Sequence, residues 1–396
     1  MLGRWLSTWR YRDTVLTLCT LAFLVTMVGR LAISPVVPAI TDEFGVSNTA
    51  IGVALSGMWL TYGLVQYPSG VLADRYGDRT VVLVSVGGTA TACLIVAVAP
   101  IFGVFFLATV LLGALAGLHF SVATTLLSRL YDNVGSAIGV HNAGGTIAGL
   151  ATPVAVAWVA NRYGWRPAVA ITFVLGVPIF VLFALRVRPV EPRRTEEPLR
   201  DRFRLKPMVD LLSRPSIVFT LWLAVVGEFA WQGIASFLPT LLVERHGQST
   251  ALAGALFSLY FVAQGIGQVG IGIVADRVGR DGVTAGCMVV GIVGIAALTL
   301  QSGLVVLATG AVLLGVSMSF GPAVLPRFFE EMSDEERSAG FGLVRTVYMI
   351  VASLGSVVLG ILADLFDWGV SFGFLAVLLA FVAATLAINW VLDLDY

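Results

Sequence analysis

Charged side chains are scarce in this sequence of 396 residues. They make up 12% of the chain, against about 25% in soluble globular domains. Acidic and basic residues balance at 24 each, so the composition offers no basic surface for a nucleic-acid partner. Hydrophobic residues reach 58%, whereas a soluble fold needs more polar surface to cover its core. The composition therefore excludes an ordinary soluble protein and predicts a membrane protein.

Cysteine is also rare. Cys19, Cys93 and Cys287 each lie alone within an apolar run. They have neither the spacing of metal ligands nor an obvious disulfide partner, so we expect small buried hydrophobic side chains. The sequence shows no nucleophile–base spacing and no metal-ligand cluster. We therefore expect neither a cofactor, nor a metal site, nor an enzyme.

Long apolar runs dominate what remains. The first run, from about Thr14 to Ile40, is too long for a signal peptide and has no small-residue cleavage site, so we expect it to stay as a helix. A bilayer core is spanned by roughly 20 apolar residues in helical form. Runs of that length predict twelve transmembrane helices at 14–39, 48–73, 80–99, 103–127, 134–161, 167–186, 215–243, 250–275, 283–300, 303–326, 338–363 and 369–391.

The basic residues are distributed asymmetrically about these spans. An even number of spans places both termini on one side, and 19 of the 24 basic residues fall on that side. Only Arg162, Arg166 and Arg245 fall on the opposite side, and two arginines lie inside spans. Because cytoplasmic loops carry the excess of arginine and lysine, we expect a protein of the cytoplasmic membrane with both termini in the cytoplasm.

One long polar segment separates the first six spans from the last six. Residues 187–213 are rich in proline and in charges of both signs, a composition typical of a linker. The sequence therefore predicts a six-helix bundle at 1–186, a cytoplasmic linker at 187–213 and a second six-helix bundle at 214–396.

The two predicted bundles share an internal repeat. When the sequence is shifted by 202 residues, 12 of the 44 positions from Ser34 to Gly77 are identical to their counterparts. Farther along, a shift of 203 residues matches Gly139 with Gly342 and Trp165 with Trp368. Repeats in the same orientation are typical of transporters built from two halves about an axis along the membrane normal.

The strongest match is a loop that occurs twice. Gly-Val-Leu-Ala-Asp-Arg-Tyr-Gly-Asp-Arg follows the second span, and Gly-Ile-Val-Ala-Asp-Arg-Val-Gly-Arg follows the eighth. With both copies at a predicted cytoplasmic joint, the chain resembles the major facilitator superfamily over its whole length. The resemblance implies an all-α membrane protein of two pseudo-symmetric six-helix bundles that works by alternating access.

The resemblance also implies a role for the repeated loop. In the family, its carboxylates help to hold the outward-open state, which makes Asp74 and Asp276 candidate latches across the seam between the halves. The alternative is a tight turn with a helix cap. The predicted latch comprises Gly70, Asp74, Arg75, Gly77, Arg79, Gly272, Asp276, Arg277 and Gly279.

Ionisable groups inside the spans are the candidates for transport. A charge at the bilayer centre costs roughly 2.5–3.5 kcal/mol on insertion scales, so such residues usually face a cavity and a partner. Arg30 lies in a polar stripe of the first span, and the repeat matches this stripe with Glu228 and Gln232 of the seventh. We predict a shared central cavity in which Arg30 and Gln232 bind substrate and Glu228 takes part in proton coupling. A structural ion pair between Arg30 and Glu228 is the alternative.

Further candidates lie in the other spans. Arg345 of the eleventh span matches Asn142 of the fifth, and both are predicted to bind substrate unless Arg345 extends to the membrane surface. His119 of the fourth span is predicted to assist proton coupling, because imidazole titrates near physiological pH. Tyr62 and Trp231 are predicted to shape the cavity. For His119 and for these aromatics, packing is the alternative role.

Two buried arginines against one buried carboxylate favour an anionic substrate, because guanidinium groups match carboxylate geometry. A weaker resemblance, carried by Val28-Gly-Arg-Leu-Ala-Ile-Ser-Pro-Val-Val-Pro, is to the organic-anion symporter branch of the superfamily. Members of that branch tend to carry a glutamate near this place in the fourth span, whereas this chain has His119 there.

We expect a monomer that carries a small-molecule solute across the lipid bilayer with a proton or sodium ion. Proton-driven multidrug efflux is the alternative, and a non-transporting receptor is a third reading.

Overall fold

The structure is a computed structural model that describes residues 10–189, 205–300, 303–333 and 337–392. Twelve long helices traverse these residues, and we number them α1 to α12. In the first half they are α1 (Tyr11–Phe44), α2 (Asn48–Tyr76), α3 (Asp78–Val98), α4 (Phe102–Leu130), α5 (Val134–Tyr163) and α6 (Trp165–Arg186). In the second half they are α7 (Pro215–Glu244), α8 (Thr250–Val278), α9 (Arg280–Leu300), α10 (Leu304–Glu330), α11 (Gly340–Leu365, with its first helical residue at Arg337) and α12 (Trp368–Val391).

The helices agree closely with the predicted spans, and the all-α class is confirmed. Eleven of them are long and apolar enough to cross a membrane. The remaining helix, α2, is also long, with 29 residues, but it is less apolar because it carries Tyr62 and Gln66. Four helices are interrupted near their middle, at a 3-10 turn over Ser34–Val36 in α1, at Leu118 in α4, between Ser317 and Gly321 in α10, and at Ser353 in α11.

The two halves meet along two matched seams, α2 against α11 and α5 against α8. A Cβ atom added to Gly52 would lie 2.7 Å from the backbone oxygen of Ser356, and one added to Gly254 would lie 2.7 Å from that of Pro153. The repeat relates Gly52 to Gly254 by 202 residues and Pro153 to Ser356 by 203. The same glycine contact is therefore made twice, which is a structural counterpart of the sequence repeat.

These glycine contacts lie toward the end of the molecule that holds Asn48 and Leu365, which we call the far end. The opposite end, with the repeated loops, we call the loop end. At the far end the Asp364 carboxylate accepts hydrogen bonds from the backbone N–H groups of Asn48 (3.1 Å) and Thr49 (2.7 Å) and from the Thr49 hydroxyl (2.6 Å). A charged side chain of one half thus caps a helix of the other, and the far end is closed.

Each half is also fastened within itself at the far end. The Trp165 indole donates to the Glu43 carboxylate (2.5 Å), and the matched Trp368 indole donates to Glu244 (2.6 Å). These bonds tie the start of the sixth helix of each half to the end of its first. Arg166 adds a second bond to Glu43 (2.7 Å).

At the loop end, each ion pair found between described residues lies within one half. Arg129 pairs with Asp78 at 2.6 Å in the first half, and Arg327 pairs with Asp281 in the second. Gly77 and Gly279 have φ angles of 84° and 103°, a backbone region that glycine favours, so each copy of the repeated loop makes a tight turn at its glycine.

Asp276 is exposed at the loop end, beside a cavity between the loop-end termini of several second-half helices. The latch of Asp74 and Asp276 across the seam remains a prediction for the state in which this end is closed.

A short helix not foreseen in the sequence lies inside the predicted linker. It spans Leu205–Leu212, and Leu211 is buried beside Gly340 of α11. Residues 190–204, which carry most of the linker's charges, lie outside the described part of the chain. The predicted domain bounds therefore remain a prediction.

Candidate functional site

A cavity of about 440 Å³ lies between the two halves. Its walls come from α1, α4 and α5 of the first half and from α7, α8, α10 and α11 of the second. Its lining extends from Glu228 and Trp231, at mid-depth, to Gln268 and Phe341 nearer the loop end. Because the far end is closed, the cavity opens toward the loop end.

Arg30 lies beside this cavity but not on its surface. The side chain is 4% exposed, and its guanidinium lies 4.0 Å from the ring centre of Tyr62 and 5.3 Å from that of Trp59. Its Nε donates to the carbonyl oxygen of Thr26 (3.2 Å), and one Nη contacts the sulfur of Met27 (2.6 Å). Met27 lines the cavity, so it separates Arg30 from the open space.

Arg345 lies on the cavity wall itself. Its guanidinium stacks over the ring of Phe120 at 4.5 Å, and its buried Nε has no hydrogen-bond partner among the described residues. Asn142, its partner in the repeat, lines the same cavity. Tyr62 lies near both arginines, with its ring against the guanidinium of Arg30. The two arginines, one from each half, thus lie close to one tyrosine.

Glu228 supplies the carboxylate of the cavity wall. Within the described residues, neither Arg30 nor Arg345 has a carboxylate within ion-pair distance. Glu228 acts on both through longer-range attraction. The predicted alternative, a direct pair between Arg30 and Glu228, is not formed in this structure. Both guanidinium groups rest on aromatic rings, which leaves N–H groups available for a bound anion.

Four of the predicted site residues do not line the cavity, namely Arg30, Tyr62, Gln232 and His119. Gln232 is fully buried, and both of its amide atoms lack a partner among the described residues. His119 is also fully buried, with its ring 5.3 Å from that of His141 and 5.9 Å from that of Phe23. The structure thus brings the two intramembrane histidines together behind Phe23. Polar residues at helical spacing share one face of a helix, but their spacing does not show which neighbouring side chains cover that face.

Four polar residues of the cavity were not predicted. Tyr348 lies one turn beyond Arg345, Gln264 and Gln268 lie on α8, and Thr146 lies on α5. The repeat carried a signal for two of them, since Gln264 matches Tyr62 and Gln268 matches Gln66. Trp231, which was predicted, lines the cavity and packs against Trp59 with ring centres 5.4 Å apart.

The sequence profile of the Major Facilitator Superfamily matches residues 19–255 and 229–395. The chain belongs to this superfamily. Membership confirms the predicted family and establishes a multi-pass membrane transporter for a small-molecule substrate rather than an enzyme. The facilitator's two halves, its repeated loop and its cavity at the seam fit this assignment.

Curated relatives of the facilitator include proteins of different specificity. The hexuronate transporter of Bacillus subtilis (strain 168) is 23% identical over 273 residues, 65% of this chain and 63% of that protein. The match thus spans less than two thirds of that relative's own length. The multidrug resistance protein MdtG of Citrobacter koseri is 24% identical over 287 residues, 70% of each chain.

Solved structures show the same fold. A bacterial homologue of the human lysosomal transporter Spinster, described as inward-facing and unoccupied, superposes with a TM-score of 0.81 at 17% identity. That match covers 96% of this chain and 97% of the other. The nucleoside transporter NupG (D323A mutant) gives a TM-score of 0.80 at 14% identity, with 96% and 99% coverage. At such identities the likeness establishes the fold alone.

Proposed function

We propose that this facilitator transports a small organic anion by alternating access. The observation that carries the proposal is the pair of guanidinium groups at one cavity, with no carboxylate of the described chain within ion-pair distance of either. A buried charge without a partner is costly, and a bound carboxylate relieves that cost through charge-assisted hydrogen bonds. Arg345 supplies the anchor on the wall, with Arg30 behind Met27 as a second positive charge.

We further propose that transport is symport with protons. Glu228 lines the cavity that holds Arg345, so a proton on its carboxylate and an anion on the guanidinium share one site. Protonation of Glu228 removes a negative charge that repels the anion. Binding of the proton therefore favours binding of the anion, and the reverse also holds. From the arginine distribution we also propose that the loop end, and with it the open cavity, faces the cytoplasm across the cytoplasmic membrane.

Counterflow in liposomes tests the anion site. The purified protein is reconstituted with an unlabelled carboxylate inside, and uptake of the labelled carboxylate is followed for the wild type, Arg345→Ala and Arg30→Ala. We expect both variants to lose uptake while remaining folded and inserted. Arg162→Ala, which changes an exposed arginine off the cavity, should keep wild-type uptake. Uptake that survives both cavity substitutions would remove the anion proposal.

Multidrug efflux is a second candidate, supported by the MdtG relatives and by the aromatic walls around a single carboxylate. A lipophilic cation would pair with Glu228 and stack on the rings. A thermal-shift screen with carboxylates, sugar phosphates and cationic drugs separates the two functions. Stabilisation by lipophilic cations alone would decide for efflux.

A further inference from the structure

The cavity wall around Arg345 is mainly apolar and contains several aromatic rings. Rings from both halves face the space, among them Phe23, Phe120, Trp231, Phe261 and Phe341. Phe120, on which the guanidinium stacks, is continued by Phe23 with ring centres 5.5 Å apart. The anion anchor therefore lies beside an apolar surface that includes two neighbouring aromatic rings.

Polar groups that are free to bind a second part of the ligand are few. The Gln264 amide already donates to the carbonyl oxygen of Met318 at 3.0 Å. The other uncharged donors of the wall are Asn142, Thr146, Gln268, Tyr348 and the indole of Trp231. A sugar acid carries a hydroxyl group on most of its carbons, and each hydroxyl that leaves water without a new partner weakens binding. The mainly apolar wall therefore favours a ligand with few hydroxyl groups.

An aromatic acid suits both features of the cavity. Its carboxylate can accept hydrogen bonds from the free N–H groups of Arg345, including the buried Nε that lacks a partner, and its ring can stack against the wall in offset or edge-to-face geometry. The volume of about 440 Å³ is at the lower end of the range for small-molecule pockets, which suits one ring or two fused rings.

We propose that the substrate is an aromatic monocarboxylate, held at its carboxylate by Arg345 and at its ring by the walls that Phe120, Phe261 and Trp231 contribute. This inference rests on the proposed function, since it names the chemical class of the organic anion. It assigns the specificity of the facilitator to the rings and the affinity for charge to the arginine.

Binding measured on the purified, detergent-solubilised protein tests the proposal with four probes. 2-Naphthoate is compared with cyclohexanecarboxylate, which has the charge without the aromatic ring, with glucuronate, which has the charge and hydroxyl groups, and with 2-naphthamide, which has the ring without the charge. We expect 2-naphthoate to bind at least tenfold more tightly than each of the other three.

A pair of tryptophan variants supplies the matched control. Trp231→Leu removes a ring of the cavity wall, whereas Trp222→Leu removes an exposed ring of the same helix, α7. We expect Trp231→Leu to weaken 2-naphthoate at least fivefold with little change for cyclohexanecarboxylate, and Trp222→Leu to change neither.

The outcomes separate this inference from the proposed function. Glucuronate that binds as tightly as 2-naphthoate, with both lost in Arg345→Ala, would overturn the aromatic class and keep the anion transporter. Equal binding of 2-naphthoate and 2-naphthamide, or binding of none of the carboxylates by protein that unfolds cooperatively, would overturn both.

Discussion

The guanidinium of Arg30 lies 4.0 Å from the ring centre of Tyr62, and the same tyrosine lies near Arg345 of the other half. Tyr62 is 3% exposed and lies on α2, which forms one of the two seams. A single side chain of the first half thus holds one arginine by its ring face and lies close to the other. Any movement of the halves about this seam changes the spacing of the two positive charges.

Tyr62→Leu should weaken anion binding. A desolvated cation–π contact is worth about 2 kcal/mol, which corresponds to roughly a thirtyfold change in affinity. Tyr62→Phe keeps the ring under Arg30 and removes only the hydroxyl, so its loss of affinity should be smaller. Titration calorimetry with a carboxylate measures both. Equal losses in the two variants would show that the ring does not position Arg30.

Asp364→Asn should shift the facilitator away from the state described here. The carboxylate caps the N-terminus of α2 from the other half, and an anion at a helix N-terminus is worth about 0.3–2 kcal/mol. Its loss should lower the ratio of loop-end-open to far-end-open molecules by up to about thirtyfold. Spin labels at exposed positions of the two halves at the far end report the ratio through their distance distribution.

Asp367→Asn is the matched control for the Asp364 variant. Asp367 also caps a helix at the far end, by accepting a hydrogen bond from the backbone N–H of Val370 (2.8 Å). It also forms an ion pair with Arg245 (3.4 Å), and all three residues belong to the same half. Bonding to the Val370 backbone N–H holds the pKa of Asp367 below its usual value, so both substitutions remove a charge at neutral pH. If Asp367→Asn lowered the ratio of loop-end-open to far-end-open molecules as much as Asp364→Asn does, the cap across the seam would not be what holds the far end closed.

Gly254→Ala should destabilise the closed far end. The added Cβ would lie 2.7 Å from the backbone oxygen of Pro153, and crowding of this kind costs about 1–3 kcal/mol. Gly270→Ala on the same helix meets nothing within 4 Å and should be neutral or slightly stabilising, because alanine favours helix. Thermal unfolding of the two variants tests the difference. A lower melting temperature for Gly270→Ala than for Gly254→Ala would contradict the packing argument.

Glu228→Gln should uncouple transport from protons. The amide mimics the protonated carboxyl group and has no proton to release. We expect the variant to retain anion counterflow, which needs no net proton movement, and to lose uptake driven by a pH gradient. A gradient-driven uptake equal to that of the wild type would exclude Glu228 as the coupling group.

The fold was predictable because apolar runs and the repeated loop are local features. The fifth and eighth spans, predicted at 134–161 and 250–275, are found at Val134–Tyr163 and Thr250–Val278. The breaks within α4 and α10 were not predicted, since a central interruption leaves the apolar character of a run unchanged.

The site was predicted in part for a related reason. Arg345, Asn142 and Glu228 were identified because a charge or its repeat partner stands out in an apolar helix, and Trp231 was identified as an aromatic residue within a span. All four line the cavity. Whether such a residue reaches the open space depends on its neighbours from other helices. Met27 covers Arg30, and His119 lies behind Phe23. Neither relation is encoded in the spacing along one helix.

The most direct test of the anion site uses a single cysteine at position 142. The native cysteines are all buried, whereas Asn142 is exposed on the cavity wall, so Asn142→Cys should provide the one readily labelled thiol. The measurement is the rate of its alkylation by a hydrophilic maleimide, with and without 2-naphthoate, with Arg345 present or changed to alanine. We predict that the carboxylate slows labelling when Arg345 is present and has no effect in the Arg345→Ala background. Labelling that 2-naphthoate slows equally in both backgrounds, or in neither, would contradict an anion held by Arg345 between the two halves.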